Sequence, residues 1–212
     1  MSKLLILGAG GHGKVVAEAA MLTRMWNEIA FLDNKIDQSY VMDVPVVGSF
    51  DSYLEHIQDY SNAFVALGNN HKRLLWIEKL KHAGYTIPVI IHPTSILSKY
   101  CRIEHGTVVL ANAVINPSVE ISEGCIINTA SSVDHDSKLD KGVHVSPGVN
   151  ISGTVSIGSY SWLGVGAKIA NNISVGSNVI IAAGATVISD VPNNVMVAGV
   201  PAKIKKNLGD EH

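Results

Sequence analysis

The feature that most constrains this fold is an aliphatic residue at every sixth position from residue 91 to residue 187, without a break. The seventeen positions are Ile91, Leu97, Ile103, Val109, Ile115, Ile121, Ile127, Val133, Leu139, Val145, Ile151, Ile157, Leu163, Ile169, Val175, Ile181 and Val187. An α-helix repeats its apolar positions every ~3.6 residues and a half-buried strand every second residue, so neither produces this pattern. The period predicts a β-solenoid whose short strands share one apolar column.

A second column, four residues after the first, is small or β-branched in nearly every case. It includes Ser95, Cys101, Thr107, Ala113, Val119, Cys125, Ser131, Ser137, Val155, Ser161, Ala167 and Ala185. Small side chains at this spacing indicate where the chain turns a corner. The two columns together resemble the hexapeptide-repeat acyltransferases, and the resemblance implies a left-handed parallel β-helix with three hexads per coil. Residues 18 apart should then lie one above the other.

Composition limits the function classes. The 212 residues are 47% hydrophobic and 16% charged, as expected for a soluble globular protein, and the formal net charge is -2. That charge balance argues against nucleic-acid and acidic-membrane partners. No secretory signal and no run of 18 apolar residues is found, which predicts a cytoplasmic protein. Cys101 and Cys125 are expected to be reduced packing residues.

Residues 1–90 lack the period of six and alternate between strand and helix patterns. They predict strands over 4–7, 29–32, 63–67 and 87–90, and helices over 14–24 and 72–82. The expected architecture is a small Rossmann-like α/β domain with a parallel sheet and right-handed crossovers, followed by the β-helix over residues 91–212.

The first strand is followed by a glycine-rich turn. Residues 8–13 read GAGGHG, and Asp33 follows the last glycine by 20 residues, as in a dinucleotide-binding fingerprint. Such a turn lets the backbone approach a pyrophosphate at a helix N-terminus, and a nucleotide sugar carries the same group as NAD. The shortness of the domain favours a single nucleotide diphosphate. NAD binding and a purely structural glycine turn remain the alternatives.

Across almost its whole length, the chain resembles bacterial acetyltransferases of nucleotide-linked amino sugars and sialic acid O-acetyltransferases. The motifs are GAGGHGK at 8–14, ALGNN at 66–70 with Arg73, VDHD at 133–136 and GVPAK at 199–203. The resemblance implies that the N-terminal domain binds a UDP-sugar. Gly10, Gly11, His12 and Gly13 would lie around the diphosphate or sugar, and Asp33, Asn34, Gly68, Asn69 and Arg73 would lie nearer the nucleotide.

Acetyl transfer to an amine needs a base, and His135 is the candidate. It lies outside both structural columns, and an imidazole with an ordinary pKa near ~6.5 suits proton transfer at neutral pH. The resemblance implies that Asp136 orients the ring, although its side chain is shorter than the Glu of the family pattern. His144 also matches a family histidine near the substrate, with binding and positioning both open as its role.

The resemblance also implies acetyl-CoA as co-substrate, held by the backbone of Gly153, Val165 and Ala183, with His144 nearby. These positions follow the 18-residue spacing that should place residues one above the other, because His135 and Gly153 are 18 apart, as are Val165 and Ala183. A homotrimer is expected, with the acceptor site between neighbouring copies. No metal is expected.

The leading hypothesis is an N-acetyltransferase acting on the 4-amino group of a UDP-linked amino-deoxy sugar. The nearest rival is O-acetylation of sialic acid or another sugar, which needs no nucleotide. A γ-carbonic-anhydrase-like metal hydratase would use His105, His135 and His144, but His105 and His144 are predicted two coils apart, roughly 10 Å, too far to share one zinc within a chain. A nucleotide-binding regulatory module is a third class.

Overall fold

A computed structural model describes residues 2–35 and 39–209, and it begins with an α/β domain. The elements in chain order are β1 (Lys3–Leu7), α1 (Gly11–Thr23), β2 (Glu28–Leu32), β3 (Tyr40–Val41), β4 (Val44–Gly48), a 3-10 helix (Phe50–His56), β5 (Asn62–Val65) and α2 (Asn70–His82). The sheet has the order β3-β4-β2-β1-β5, and only the β3–β4 pair is antiparallel. The sheet and both helices agree with the predicted Rossmann-like domain.

Two details of this domain differ from the sequence prediction. The pattern missed β3 and β4. It also predicted a strand over 87–90, whereas the α/β sheet receives only an isolated bridge between Asn62 and Thr86. Ile90 and Ile91 instead form the first solenoid strand, which pairs with residues 108 and 109 of the next coil. The predicted strand was wrong because its apolar residues serve the solenoid and the packing beside it.

The solenoid consists of two-residue strands at intervals of six. They are β6 (Ile90–Ile91), β7 (Ile96–Leu97), β8 (Arg102–Ile103), β9 (Val108–Val109), β10 (Val114–Ile115), β11 (Glu120–Ile121), β12 (Ile126–Ile127), β13 (Ser132–Val133), β14 (Lys138–Leu139), β15 (His144–Val145), β16 (Asn150–Ile151), β17 (Ser156–Ile157), β18 (Trp162–Leu163), β19 (Lys168–Ile169), β20 (Ser174–Val175), β21 (Ile180–Ile181) and β22 (Thr186–Val187). A hairpin of β23 (Val195–Ala198) and β24 (Lys203–Asn207) follows.

From β6 to β19, each solenoid strand pairs in parallel with the strand three further along the chain, so residues 18 apart are stacked as predicted. The strands form the three faces of a left-handed β-helix. We name them the docked face (β6, β9, β12, β15, β18 and β21), the second face (β7, β10, β13, β16, β19 and β22) and the third face (β8, β11, β14, β17 and β20). The aliphatic column fills the interior, where Val109, Val133 and Leu163 are fully buried.

The small-residue column has a hydrogen-bonding role that the sequence did not reveal. The hydroxyls of Thr107, Ser137 and Ser161 are buried and donate to carbonyls 15 residues further on, at 3.1, 3.1 and 2.8 Å. Each hydroxyl also accepts from the amide 18 residues further on. Because a buried hydroxyl is costly without partners, these bonds explain why Ser and Thr are tolerated inside the corners.

The α/β domain covers the lower part of the docked face. Ile90, Val108 and Ile126 point outward there and belong to one buried cluster with Val16 and Ala20 of α1. This packing fixes the position of the domain beside the first three strands of the docked face, β6, β9 and β12. No helix in the described ranges combines the length and apolarity needed to cross a membrane.

Candidate active site

Three loops of the α/β domain meet at one edge of its sheet. They follow β1, β2 and β5, which are adjacent and parallel, so their carboxyl ends share that edge. Ligands of open α/β sheets bind at such an edge. The loops carry five of the residues predicted to bind the nucleotide sugar: Gly10, Asp33, Asn34, Gly68 and Asn69.

The glycine-rich turn leaves the start of α1 open. The helix begins at Gly11, and its N-cap, Gly10, provides no side-chain cap. A Cβ at Gly10 or Gly11 would meet no atom within 4 Å, whereas one at Gly13 would collide with the carbonyl oxygen of Gly8. Gly13 therefore allows close packing of the turn, and the uncapped amides of the first turn are available to an anionic group.

The polar side chains in these loops mainly shape the backbone. The Asp33 carboxylate accepts from the amides of Ala9 (2.7 Å) and Lys35 (2.8 Å), which ties two loops together. Asn34 accepts from the Phe50 amide at 2.7 Å, and the Asn69 side chain caps α2 by accepting from the Lys72 amide at 2.9 Å. Asp33, Asn34 and Asn69 each support a loop that faces the sheet edge, and their contact with a nucleotide stays a prediction.

Arg73 has a different position from the one expected for a nucleotide contact. Its side chain is only 1% exposed. The guanidinium donates to the carbonyls of Gly124 (2.7 Å), Leu67 (2.8 Å), Gly142 (2.9 Å) and Gly68 (3.4 Å), and to the Asn70 side chain (2.8 Å). Because a guanidinium has five N–H donors, none is left for a ligand. Arg73 is therefore a buried link between the two domains and not the nucleotide contact that was predicted.

His12 and His144 form a pair where α1 meets the solenoid. Their ring centroids are 6.5 Å apart, and within residues 2–35 and 39–209 neither buried Nε2 atom has a hydrogen-bond partner. Burial, with a smaller effect of the Arg73 charge, lowers the pKa of His12 to about 4. The same two causes and neighbouring His12 lower the pKa of His144 to about 3. Both imidazoles are therefore neutral at pH 7, and each Nε2 can accept or donate one hydrogen bond.

A cavity of about 430 Å³ lies between the start of α2 and the upper part of the docked face. Its lining includes Gly68, Asn69, His144, Tyr160 and Trp162. His144 and Trp162 are stacked neighbours of adjacent coils, and their ring centroids are 6.2 Å apart. The sequence reasoning did not single out Trp162 or Tyr160. The 18-residue spacing could have identified Trp162, because Trp162 follows His144 by 18 residues and therefore lies directly above it.

His135 lies in the corner after β13, with 57% of its side chain exposed. Its Nδ1 donates to Asp136 Oδ2 at 2.8 Å, so the shorter acidic side chain does reach the ring, and this bond raises the pKa of His135. A Cβ at Gly153 would come within 2.6 Å of His135 Cε1 and Nε2. The imidazole therefore lies across Gly153 in the next coil, and among the described residues its Nε2 has no hydrogen-bond partner.

The three residues predicted to contact acetyl-CoA have one backbone feature in common. In the part of the chain that the structure describes, no acceptor pairs with the amides of Gly153, Val165 or Ala183. Val165 and Ala183 are stacked at the corner between the docked and second faces, and the Val165 carbonyl accepts from the Gly184 amide at 2.8 Å. Free amides along these corners can bind the carbonyl groups of a long ligand.

The structure does not bring His135 and His144 together within one chain. His135 lies at the edge between the second and third faces, and His144 lies on the docked face. In a three-sided coil, that edge is opposite the docked face. His105 lies at a third place and contacts Glu123 Oε1 at 2.6 Å. Among the described residues no three potential metal ligands cluster.

Both the α/β domain and the β-helix match known protein families. Residues 3–80 match the family model described as PglD N-terminal domain, and residues 154–189 match the bacterial transferase hexapeptide (six repeats) model. Among curated proteins, the chain is 33% identical over 117 residues to UDP-N-acetylbacillosamine N-acetyltransferase from Bacillus subtilis. That match spans about half of each protein, 52% in both cases.

Several solved structures match nearly the whole chain, including the following two. The acetyltransferase domain of PglB from Neisseria gonorrhoeae, in complex with acetyl coenzyme A, is 41% identical with a TM-score of 0.90, over 96% of this chain and 98% of that one. PerB from Caulobacter crescentus, in complex with CoA and GDP-perosamine, is 34% identical with a TM-score of 0.90, over 97% and 98% of the two chains.

Proposed function

This chain belongs to the hexapeptide-repeat N-acetyltransferases of nucleotide-linked amino sugars, and we propose that it acetylates the 4-amino group of a UDP-linked amino-deoxy sugar with acetyl-CoA. The observation that carries the proposal is the His135–Asp136 pair, whose free Nε2 lies over Gly153 at a corner with an unused amide. The Bacillus relative is named for a UDP-linked substrate and the Caulobacter relative was solved with a GDP-linked one. We favour UDP.

The proposed reaction is a direct transfer. The sugar amine attacks the thioester carbonyl carbon, a C–N bond forms, and the C–S bond breaks to release the CoA thiolate. His135 Nε2 takes the proton that the amine loses, and Asp136 stabilises the resulting imidazolium. The free amide of Gly153 is suited to donate to the oxygen on which negative charge develops. We assign nucleotide-sugar binding to residues 1–90 and acetyl transfer to residues 91–212.

The acceptor would bind between the glycine-rich turn and the cavity above His144. The open first turn of α1 suits the diphosphate, because its amides lack partners and the helix dipole favours negative charge there. The two neutral imidazoles of His12 and His144 leave their Nε2 atoms for sugar hydroxyls or the amine. The cavity beyond them has room for a hexose.

The geometry also supports the proposed homotrimer. Because the edge with His135 is opposite the docked face, the base of one copy can meet an acceptor only on another copy. Such a contact joins two different patches, and heterologous contacts form closed rings or open filaments rather than twofold dimers. Three is the smallest such ring. Light scattering of the active protein should return a trimer mass, and a monomer mass would contradict this arrangement.

A substitution of His135 tests the mechanism. If the imidazole is the base, His135→Ala should lower kcat by roughly 10²–10⁴-fold while the affinities for acetyl-CoA and the UDP-sugar change little. Asp136→Asn should cost less, because it disturbs only the orientation and the basicity of His135 and leaves the base in place. A folded His135→Ala protein that binds both substrates and acetylates at the wild-type rate would remove His135 from the mechanism.

Complementation tests whether two copies share one site. Co-expressed His135→Ala and His144→Gln chains should assemble mixed trimers with some intact sites, and these should be more active than either variant alone. A panel of UDP- and GDP-linked amino sugars, compared by thermal shift, tests which nucleotide the protein prefers, since the preferred ligand raises its Tm most.

We place the reaction in the cytoplasm, which fits the free thiols of Cys101 and Cys125.

A further inference from the structure

Tyr160 has a backbone conformation that an aromatic residue rarely adopts. Its φ is 63°, in the left-handed region. The other non-glycine residues with such a conformation in this part of the chain are all smaller: four are Asn, at Asn112, Asn172, Asn178 and Asn194, and the rest are Ser118, Ala130, Asp136 and Thr154. Asn tolerates this region well, whereas a bulky side chain there is strained. A strained residue next to a candidate site suggests a role for its side chain.

The backbone of Tyr160 is held independently of its ring. Its carbonyl accepts from the Asn70 side chain at 2.7 Å, and Asn70 in turn accepts from Arg73 at 2.8 Å. Its amide donates to the Lys141 carbonyl at 2.9 Å. These bonds connect the corner to α2 without the phenol, so the link between the domains does not explain why the residue is aromatic.

The Tyr160 ring stacks on His71 of α2. The two rings are nearly parallel, at 8°, and their centroids are 4.2 Å apart. On one side of the stack lies the cavity of about 430 Å³ with His144 and Trp162. On the other side lies a second cavity of about 440 Å³, lined also by Glu123 and Lys141. Tyr160 and His71 line both cavities and separate them.

We propose that the His71–Tyr160 stack determines substrate specificity by limiting the size of the ring substituents that the acceptor sugar can carry. The inference rests on the proposed function, because it takes the cavity at His144 as the acceptor site. A sugar with small substituents fits on the His144 side of the stack. A larger N-acyl group would have to enter the second cavity, and the two stacked rings block its path.

Substituting either ring should join the cavities. Tyr160→Asn removes the phenol and retains the residue type that occupies four other corners of this kind, so the fold should be kept. His71→Ala removes the other ring from an exposed position on α2. Tyr100→Asn is a matched control, since that tyrosine is 65% exposed in the first coil, outside both cavity linings.

The assay compares kcat/KM for UDP-linked 4-amino-4,6-dideoxy hexoses that carry either an acetamido or a hexanamido group at C2, with a second pair substituted at C3. We expect the hexanamido-to-acetamido ratio to rise at least tenfold in Tyr160→Asn and in His71→Ala for one of the pairs, and to stay at the wild-type value in Tyr100→Asn. General destabilisation would lower both rates and leave their ratio unchanged.

The assay distinguishes a wrong function from a wrong role of the His71–Tyr160 stack. If the wild type acetylates none of these sugars, the proposed function is wrong. If the wild type acetylates the acetamido sugars but neither variant, nor their combination, changes the ratio in either pair, the stack does not limit substituent size and the inference is overturned.

Discussion

Arg73→Met should separate the structural role of this residue from a ligand-binding role. The guanidinium is buried, its five donors are all paired, and its acceptors include two solenoid carbonyls, of Gly124 and Gly142. Burial lowers the pKa of Arg73 to about 10, yet the group remains charged at neutral pH. Methionine retains much of the apolar stem and leaves the carbonyl acceptors buried without donors.

The expected loss is about 3–5 kcal/mol, because four backbone carbonyls and the Asn70 side-chain oxygen lose a donor, and each buried acceptor left without one costs about 1–3 kcal/mol. Each bond to a charged donor contributes about 1.5–3 kcal/mol, but the five are not additive, and removing the charge also relieves its desolvation. For a chain of this length the loss corresponds to a fall of roughly 6–20 °C in Tm. We would measure Tm by calorimetry at a fixed protein concentration.

Arg102→Met is the matched control, because Arg102 is exposed on β8 and its loss should change stability by at most about 0.5 kcal/mol. If Arg73 contacted the nucleotide instead, its substitution should weaken UDP-sugar binding and leave the Tm unchanged. If Arg73→Met lost UDP-sugar affinity but kept the wild-type Tm, Arg73 would be a ligand contact and not a structural link between the domains.

Three further predictions concern the histidines. Gly153→Ala should lower kcat by about 10²-fold with little loss of stability, because the methyl group displaces the exposed imidazole of His135, while Gly209→Ala, where a Cβ meets nothing, should have no effect. Since Asp136 raises the pKa of His135 and the base must be unprotonated, the acidic limb of the kcat profile should lie above pH 6.5 and move to lower pH in Asp136→Asn. His12 and His144 have lowered pKa values in the folded protein, so below pH 6.5 the unfolded chain binds protons that the folded protein does not. The Tm should therefore fall as the pH drops from 6.5 toward 4, and it should fall less steeply in a His12→Gln, His144→Gln protein. An equal slope in that double variant would show that other groups cause the acid instability.

The solenoid could be predicted from the sequence because its determinants are local. From Val109 to Val187, each aliphatic residue at the sixth position is buried by its own strand and by the residues 18 away, so one period specifies the core. The β3–β4 hairpin had no such signal. Met42 and Asp43 form its turn with φ values of 52° and 61°, where Asn-Gly or Asp-Gly would normally announce a hairpin.

The role of Arg73 could not be predicted, because its acceptors are distant in sequence. The Gly124 and Gly142 carbonyls are 51 and 69 residues away, and a backbone carbonyl leaves no mark on residue identity. The motif around Arg73 correctly indicated that this segment adjoins the candidate site. It did not distinguish an arginine that contacts a ligand from one that holds the loop next to it.

The position of the cavity follows from the outward-facing residues of the docked face, a pattern that the sequence does contain. They are Ile90, Val108, Ile126, His144, Trp162 and Ile180, each 18 residues after the last. On the other two faces the equivalent positions in the same middle coils are mainly polar or charged, such as Glu120, Ser132 and Lys138.

The first three of these residues are at most 1% exposed beneath the α/β domain, while Trp162 is 45% exposed. The same apolar column thus changes from a domain contact to a cavity wall at His144, where the covering domain ends. Lengthening the covered part by one coil would bury Trp162 and close the cavity. The register of the domain on the solenoid therefore sets the place at which an acceptor can bind.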